Sequence, residues 1–247
     1  MSDDRRHPAE GFLQWYADLY GETWFVDDTL ADLSTLKAAG QADSGNPKSP
    51  TISGGRPSPA PPPGTPLAGF YHEIKDCQKC PLGQTRKQFV FGSGNGDAEI
   101  MFIGEAPGAD EDRQGLPFVG RSGQLLTKIL AGIKLQRDDV YIANILKCRP
   151  PGNRDPLPLE VEQCSPYLHK QIEMIRPKIL VALGRVAAQT LLNTDTSLGR
   201  MRKTVHQYRG IPLIVTYHPA YILRNMNALQ DAIDDMRFAV ETYRQGG

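Results

Sequence analysis

Ala98-Glu99-Ile100-Met101-Phe102-Ile103-Gly104-Glu105-Ala106-Pro107-Gly108 is the stretch whose reading decides the fold. The apolar run over 98–103 reads as a buried strand of a parallel sheet. Gly104, Pro107 and Gly108 then forbid both a longer strand and an immediate helix. A carboxylate, Glu105, is thereby set in a stiff loop at the carboxyl end of a central strand. That edge is where open α/β sheets bind ligands. On this stretch alone, a ligand site and an ordinary strand-to-helix turn with a solvated Glu stay equally open.

The rest of the chain after Leu67 alternates in the same sense. A helix is expected over 122–133 and a second strand over 139–143. Asp155-Pro156 opens a helix with Val161, Cys164, Leu168, Ile172 and Ile175 on one face, and Pro177 ends it. A third strand covers 178–183, a helix 186–192, a fourth strand 211–216 and a terminal helix 228–243. Strands alternating with helices imply a three-layer α/β/α fold with a mostly parallel central sheet. The loops after the strands gather on one edge: 104–108, 144–148, 184–185 and 217–220. All but the third hold chemically capable residues. The glycines of 92–96 precede a strand and read as a tight turn, and no P-loop is present.

The 247 residues divide into an amphipathic helical leader (1–40), a Pro/Gly/Ser-rich flexible linker (41–66) and a catalytic-sized domain (67–247). Phe12, Trp15, Tyr16, Leu19 and Tyr20 form an aromatic stripe at helical spacing in the leader. The stripe either packs on its own domain or docks into a partner protein. Residues 1–66 carry 5 Lys/Arg against 9 Asp/Glu, and residues 67–247 carry 23 against 19. The mildly basic domain permits nucleic-acid binding without demanding it. No apolar run approaches a membrane span, and the N-terminus lacks the pattern of a signal peptide. A cytoplasmic protein with no membrane association is the expectation.

The chain has four cysteines, Cys77, Cys80, Cys148 and Cys164. The two-residue gap of Cys77 and Cys80 lets one turn present two thiolates to one metal site. Four thiolates suit zinc or an iron–sulfur cluster, and spacing does not choose between them; unrelated buried thiols are the plain alternative.

Taken in order, these motifs are Gly104-Glu105-Ala106-Pro107-Gly108 with Glu111-Asp112, Pro117-Phe118-Val119-Gly120, Asn144-Ile145-Leu146-Lys147-Cys148-Arg149-Pro150-Pro151-Gly152-Asn153-Arg154, and His218-Pro219-Ala220-Tyr221-Ile222-Leu223-Arg224. Together they closely resemble the family 4 uracil-DNA glycosylases, over about residues 70–245. The resemblance implies the uracil-DNA glycosylase fold and hydrolysis of the N-glycosidic bond of uracil in DNA, leaving an abasic site. It implies a [4Fe–4S] cluster on Cys77, Cys80, Cys148 and Cys164. It implies a uracil pocket of Ala106, Phe118 and Asn144, with Phe118 stacking on the extruded base and the Asn144 amide reading its edge. Glu105, Glu111, Asn153 and His218 are the implied catalytic set. His218 would donate to the departing base and a carboxylate would serve the water and sugar side. Glu105 and Glu111 are not ranked, and either would alternatively shape the pocket against the thymine methyl. Lys147, Arg149, Arg154 and Arg224 are implied phosphate contacts, and Tyr221, Ile222 and Leu223 an apolar wedge. A relative in the wider superfamily captures uracil-DNA covalently through a His in a basic insertion. Arg149-Pro150-Pro151-Gly152-Asn153-Arg154 holds no such insertion, so turnover is expected rather than covalent capture, and a monomer is the separate expectation. The competing reading is a non-catalytic iron–sulfur nucleic-acid-binding or polymerase accessory module.

Overall fold

The computed structural model describes residues 60–245; the aromatic stripe of the leader and most of the Pro-rich linker lie outside them. The described chain opens with α1 (Pro66–Ile74), where Thr65 caps the first turn by accepting from the Ala68 N–H. A short α2 (Leu82–Thr85) follows, then strands β1 (Ser93–Gly94) and β2 (Ile100–Gly104). Next come α3 (Ala109–Gln114), α4 (Arg121–Gly132), β3 (Tyr141–Asn144), α5 (Pro158–Ile175) and β4 (Ile179–Leu183). The chain closes with α6 (Arg185–Leu192), α7 (Leu198–Met201), β5 (His206–Tyr208), β6 (Ile211–Thr216), α8 (Pro219–Ile222) and α9 (Leu229–Gln245).

The sheet order is β1-β3-β2-β4-β6-β5. The four central strands run parallel, and the two outer ones pair antiparallel. All four expected strands are present. The two edge strands escaped the sequence reading because they are two and three residues long and carry no apolar run. Every residue of β2, β3 and β4 is buried, as the continuous apolar runs require of strands covered on both faces. Met101, Ile103, Tyr141, Ala143, Leu180, Ala182, Leu213 and Val215 occupy alternate positions and join one cluster with Leu168 and Ile172 of α5 and Ala187 and Leu191 of α6. Their neighbours Phe102, Ile142, Val181 and Ile214 face the other way, and α9 packs on β4 and β6. Helix α5 begins at Pro158, not at Asp155. Its first turn is fixed by Glu160, which accepts from the Leu157 N–H at 2.8 Å, with Pro158 at the first position. Among the described residues no helix is long and apolar enough to cross a membrane.

From β2 the chain moves outward to β3 and then crosses back to β4 on the other side of β2. This reversal is the topological switch point, and the crevice at the carboxyl ends of β2 and β4 is its physical consequence. Glu105 follows β2 and Arg185 follows β4, so both sit at that crevice.

Candidate active site

Gly104 and Asn144 are register partners at the ends of β2 and β3, and the pairing continues as Ile145 and Leu146 donate to the Gly104 and Glu105 carbonyls at 2.9 and 3.0 Å. A Cβ on Gly104 would collide with the Asn144 side-chain oxygen and lie 2.6 Å from the Phe118 ring. Only a glycine lets both side chains pack this close to the end of β2. Gly184 does the same from β4: its φ is +91°, and a Cβ there would lie 2.7 Å from the His218 Cβ. The Phe118 and His218 rings are 5.6 Å apart. Strand-end loops separated by up to a hundred residues thus deliver Phe118, Asn144 and His218 to one place. Ala106, from the same first loop, is partly buried against the core.

Asn144 is 2% exposed, and its Oδ1 is buried without a hydrogen-bond partner. An unpaired buried acceptor costs about 1–3 kcal/mol, so Oδ1 stands ready to accept from a ligand donor. The neighbouring backbone is tied down. Lys147 Nζ donates to the Asn144 carbonyl at 2.9 Å and to Gln171 Oε1 at 2.6 Å.

Phe118 is held in the left-handed region, φ +51°, which costs of order 1–3 kcal/mol for a residue with a side chain. Two groups enforce it. Glu111 Oε1 accepts from the Val119 and Gly120 N–H groups at 2.8 and 2.9 Å, while its Oε2 accepts from Gly108 at 3.1 Å. Arg137 donates to the Pro117 and Phe118 carbonyls at 2.9 and 3.0 Å. Sequence reasoning missed Arg137, which lies on a 3-10 turn before β3 and carries no motif.

His218 Nδ1 accepts from the Ala220 N–H at 3.1 Å, capping α8. Burial, reinforced by Arg224, pushes its pKa down to about 4. The imidazole is therefore neutral near pH 7, and with Nδ1 committed as acceptor its proton resides on Nε2. Glu105 moves the opposite way: burial first, and then the charge of Asp155, raise its pKa to about 7, against a lowering pull from Arg185. Arg185 and Asp155 form an ion pair at 2.9 Å. Neither was foreseen; Gly184-Arg185 read as a bare turn.

Burial corrects two expectations, Lys147 and Ile222, and the other expected site residues are placed as follows. Lys147 is fully buried and hydrogen-bonded inside the fold, so it reaches no phosphate. Ile222 is fully buried and cannot enter DNA, whereas Tyr221 is 40% exposed and Leu223 half-buried. Glu111 has both oxygens on backbone N–H groups, of Gly108 on one side and of Val119 and Gly120 on the other. Asn153 is exposed and its side-chain oxygen accepts from Arg149 at 2.8 Å. Arg154 is committed to Glu160 through two bonds of 2.6 and 2.8 Å. Arg224 is exposed.

The four cysteines gather beside this site. Cys148 and Cys164 are buried, and Cys77 and Cys80 are half-buried against the same core. Donors point at the sulfurs: Tyr167 Oη at 3.1 Å from Cys77, Arg86 at 3.4 Å from Cys148, and the Lys147 N–H at 3.2 Å from Cys164. Burial first, and then the neighbouring cysteines, push the Cys148 and Cys164 thiols up to about 11 and 12 against the pull of Arg86 and Lys147, so bare thiolates are unfavourable there. Among the described residues no group of three or more His, Cys, Asp or Glu is spaced to hold a single metal ion.

A parallel-sheet domain with these strand-end loops at its switch point defines a class: the chain belongs to the uracil DNA glycosylase superfamily, whose family model matches residues 91–239. It is 51% identical over 165 residues to a type-4 uracil-DNA glycosylase from Archaeoglobus fulgidus, covering 64% of this chain and 83% of that protein. It is 49% identical over 162 residues to the type-4 enzyme of Saccharolobus solfataricus, covering 62% and 75%. A type-5 uracil-DNA glycosylase from Pyrobaculum aerophilum is 34% identical over 153 residues, covering 55% and 67%.

Proposed function

We propose that this chain is a DNA-repair glycosylase that hydrolyses the N-glycosidic bond of uracil in DNA and leaves an abasic site. The observation that carries the reading is the buried, unpartnered Asn144 amide oxygen, packed with the Phe118 ring over Gly104. Uracil's edge supplies the missing partner: N3–H donates to Oδ1, and O4 accepts from Nδ2. Cytosine presents the reverse polarity and leaves the amide unpaired, which is costly. Phe118 stacks on the extruded base. As the bond to the sugar breaks, negative charge builds on uracil and His218 donates from Nε2–H to O2. A neutral donor suits this step because it stabilises the charge without surrendering its proton. Glu105, as carboxylate, faces the sugar and orients the attacking water.

This assignment fixes a pH dependence. Glu105 must be charged, so single-turnover excision should rise with pH through about 7. Asp155→Asn removes a repulsion and should move that limb to lower pH, while Arg185→Gln should move it to higher pH. A profile indifferent to both substitutions would remove Glu105 from the charged role.

Cys77, Cys80, Cys148 and Cys164 would hold a [4Fe–4S] cluster, which would tie the 77–80 turn to the Asn144 loop and α5. Tetrahedral zinc at a Zn–S distance of ~2.3 Å draws four sulfurs within ~4 Å of one another. A [4Fe–4S] cluster gives each of four thiolates its own iron and so spans wider sulfur separations than one zinc does. Donors aimed at the sulfurs also suit thiolates. The purified protein should be brown with about four iron and four sulfide per chain, and Cys77→Ala should lose iron and soluble yield together. A colourless, fully active protein carrying one zinc would overturn the cluster.

Exposed Arg224 and Tyr221 and half-buried Arg149 meet the DNA, and the monomer turns over without covalent capture. Residues 1–56 are a docking segment, for their own domain or for a repair or replication partner. Their acidic balance disfavours contact with phosphates. A chain beginning at Pro57, which keeps the Thr65 cap, should excise uracil from a short oligonucleotide at an undiminished rate. A large loss with the iron intact would bring the leader into the active site.

A further inference from the structure

Tyr217 and Tyr221 flank the turn that carries His218, and their rings stack at 5.2 Å with planes 16° apart. Behind Tyr217, the guanidinium carbon of Arg202 lies 4.1 Å from the ring centroid, well inside cation–π range. Arg202 is 8% exposed and is gripped from α9. Its Nε donates to Asp235 at 2.6 Å, and its two terminal nitrogens donate to the Asp231 side chain and carbonyl at 3.3 and 3.2 Å. At the outer end, Asn225 Nδ2 donates to Tyr221 Oη at 2.8 Å. One continuous column therefore runs from the C-terminal helix through Asp235, Arg202, Tyr217 and Tyr221 to Asn225. Its last ring, Tyr221, is 40% exposed.

We infer that Arg202 is a positioning residue for duplex opening: through Tyr217 it holds Tyr221 as a preformed wedge beside the uracil pocket. The inference rests on the glycosylase reading above. A planar guanidinium can stack on a ring and grip two acidic side chains at once, which an ammonium cannot. A wedge that is already ordered loses little conformational entropy on meeting DNA. Opening costs free energy only when the uracil is paired and stacked. A single-stranded uracil needs no wedge, so the column should matter on duplex alone.

The experiment compares single-turnover uracil release from a duplex and from the same strand unpaired. Arg202→Lys keeps a charge for Asp235 but lacks the flat face. Tyr217→Leu leaves the Arg202 ion pairs intact and removes the middle ring, and Tyr217→Phe restores it. Both Arg202→Lys and Tyr217→Leu should lower the duplex rate about tenfold and the single-strand rate less than about twofold, with Tyr217→Phe returning to wild type. The fluorescence rise of 2-aminopurine placed next to uracil reports opening without chemistry, and should shrink in the same two variants. Equal losses on both substrates, or an unchanged duplex rate and fluorescence, would overturn the inference. The wild-type single-strand rate tests the glycosylase reading by itself, and the fluorescence tests the wedge independently of bond cleavage.

Discussion

Asn144→Asp should lower uracil excision by about two to three decades, the usual cost of losing one well-placed donor in a water-excluded site. The substitution keeps the size of the side chain and leaves the Asn144 carbonyl on Lys147, so the loop is retained. What changes is polarity. A carboxylate offers no donor to uracil O4. Only the fraction that takes up a proton, which burial favours, regains a donor, and its O–H serves cytosine as well as uracil. It donates to cytosine N3 while its carbonyl oxygen accepts from the cytosine amino group. The ratio of cytosine to uracil release should therefore rise even as the absolute uracil rate falls. Both rates come from mass-spectrometric quantitation of free base, with iron content as the check on folding. Wild-type uracil rates would show that Asn144 does not touch the base.

Glu105→Gln should slow single-turnover cleavage by roughly two to three decades, within the range for losing a positioned acid–base group. Binding to uracil-containing DNA should stay the same or tighten, because the amide no longer carries a charge that phosphates repel. The pH limb near 7 should vanish from the residual activity. The contrast with Glu111→Gln is informative. Glu111 holds three backbone N–H groups, and its loss should release Phe118 from its left-handed backbone. Rate and uracil affinity should then fall together, with a lower melting temperature. If the two variants behave alike, the division of roles between these carboxylates is wrong.

Much of the fold was legible because its central strands are short, continuous apolar runs ended by Gly, Pro or Asn. The 98–108 stretch alone set the orientation of β2 and the edge where Glu105 emerges. The convergence of Phe118, Asn144 and His218 was legible only through the resemblance and the shared sheet edge. Sequence spacing says nothing about which of four loops touch. Lys147 and Ile222 were misread for a related reason: charge and apolarity report chemistry, not burial. Within Asn144-Ile145-Leu146-Lys147-Cys148 every side chain turns inward, and a lysine there pairs with Gln171, twenty-four residues on. Glu111 was ambiguous because a loop brace and a catalytic base use the same carboxylate. Only its three backbone donors separate them. Arg202, Arg137 and Asp155 had no motif at all, since their partners lie far along the chain.

The central claim is that the pocket of Phe118, Asn144 and His218 releases uracil from DNA. The most direct measurement incubates the purified, iron-loaded protein with oligonucleotides carrying one uracil, and matched ones carrying cytosine or thymine, and detects the free base by mass spectrometry. Free uracil is expected from both single- and double-stranded substrate, with equimolar alkali-labile sites, no covalent protein–DNA product, and no cytosine or thymine. DNA binding by a fully iron-loaded protein that releases no uracil would contradict it and leave a non-catalytic nucleic-acid-binding module.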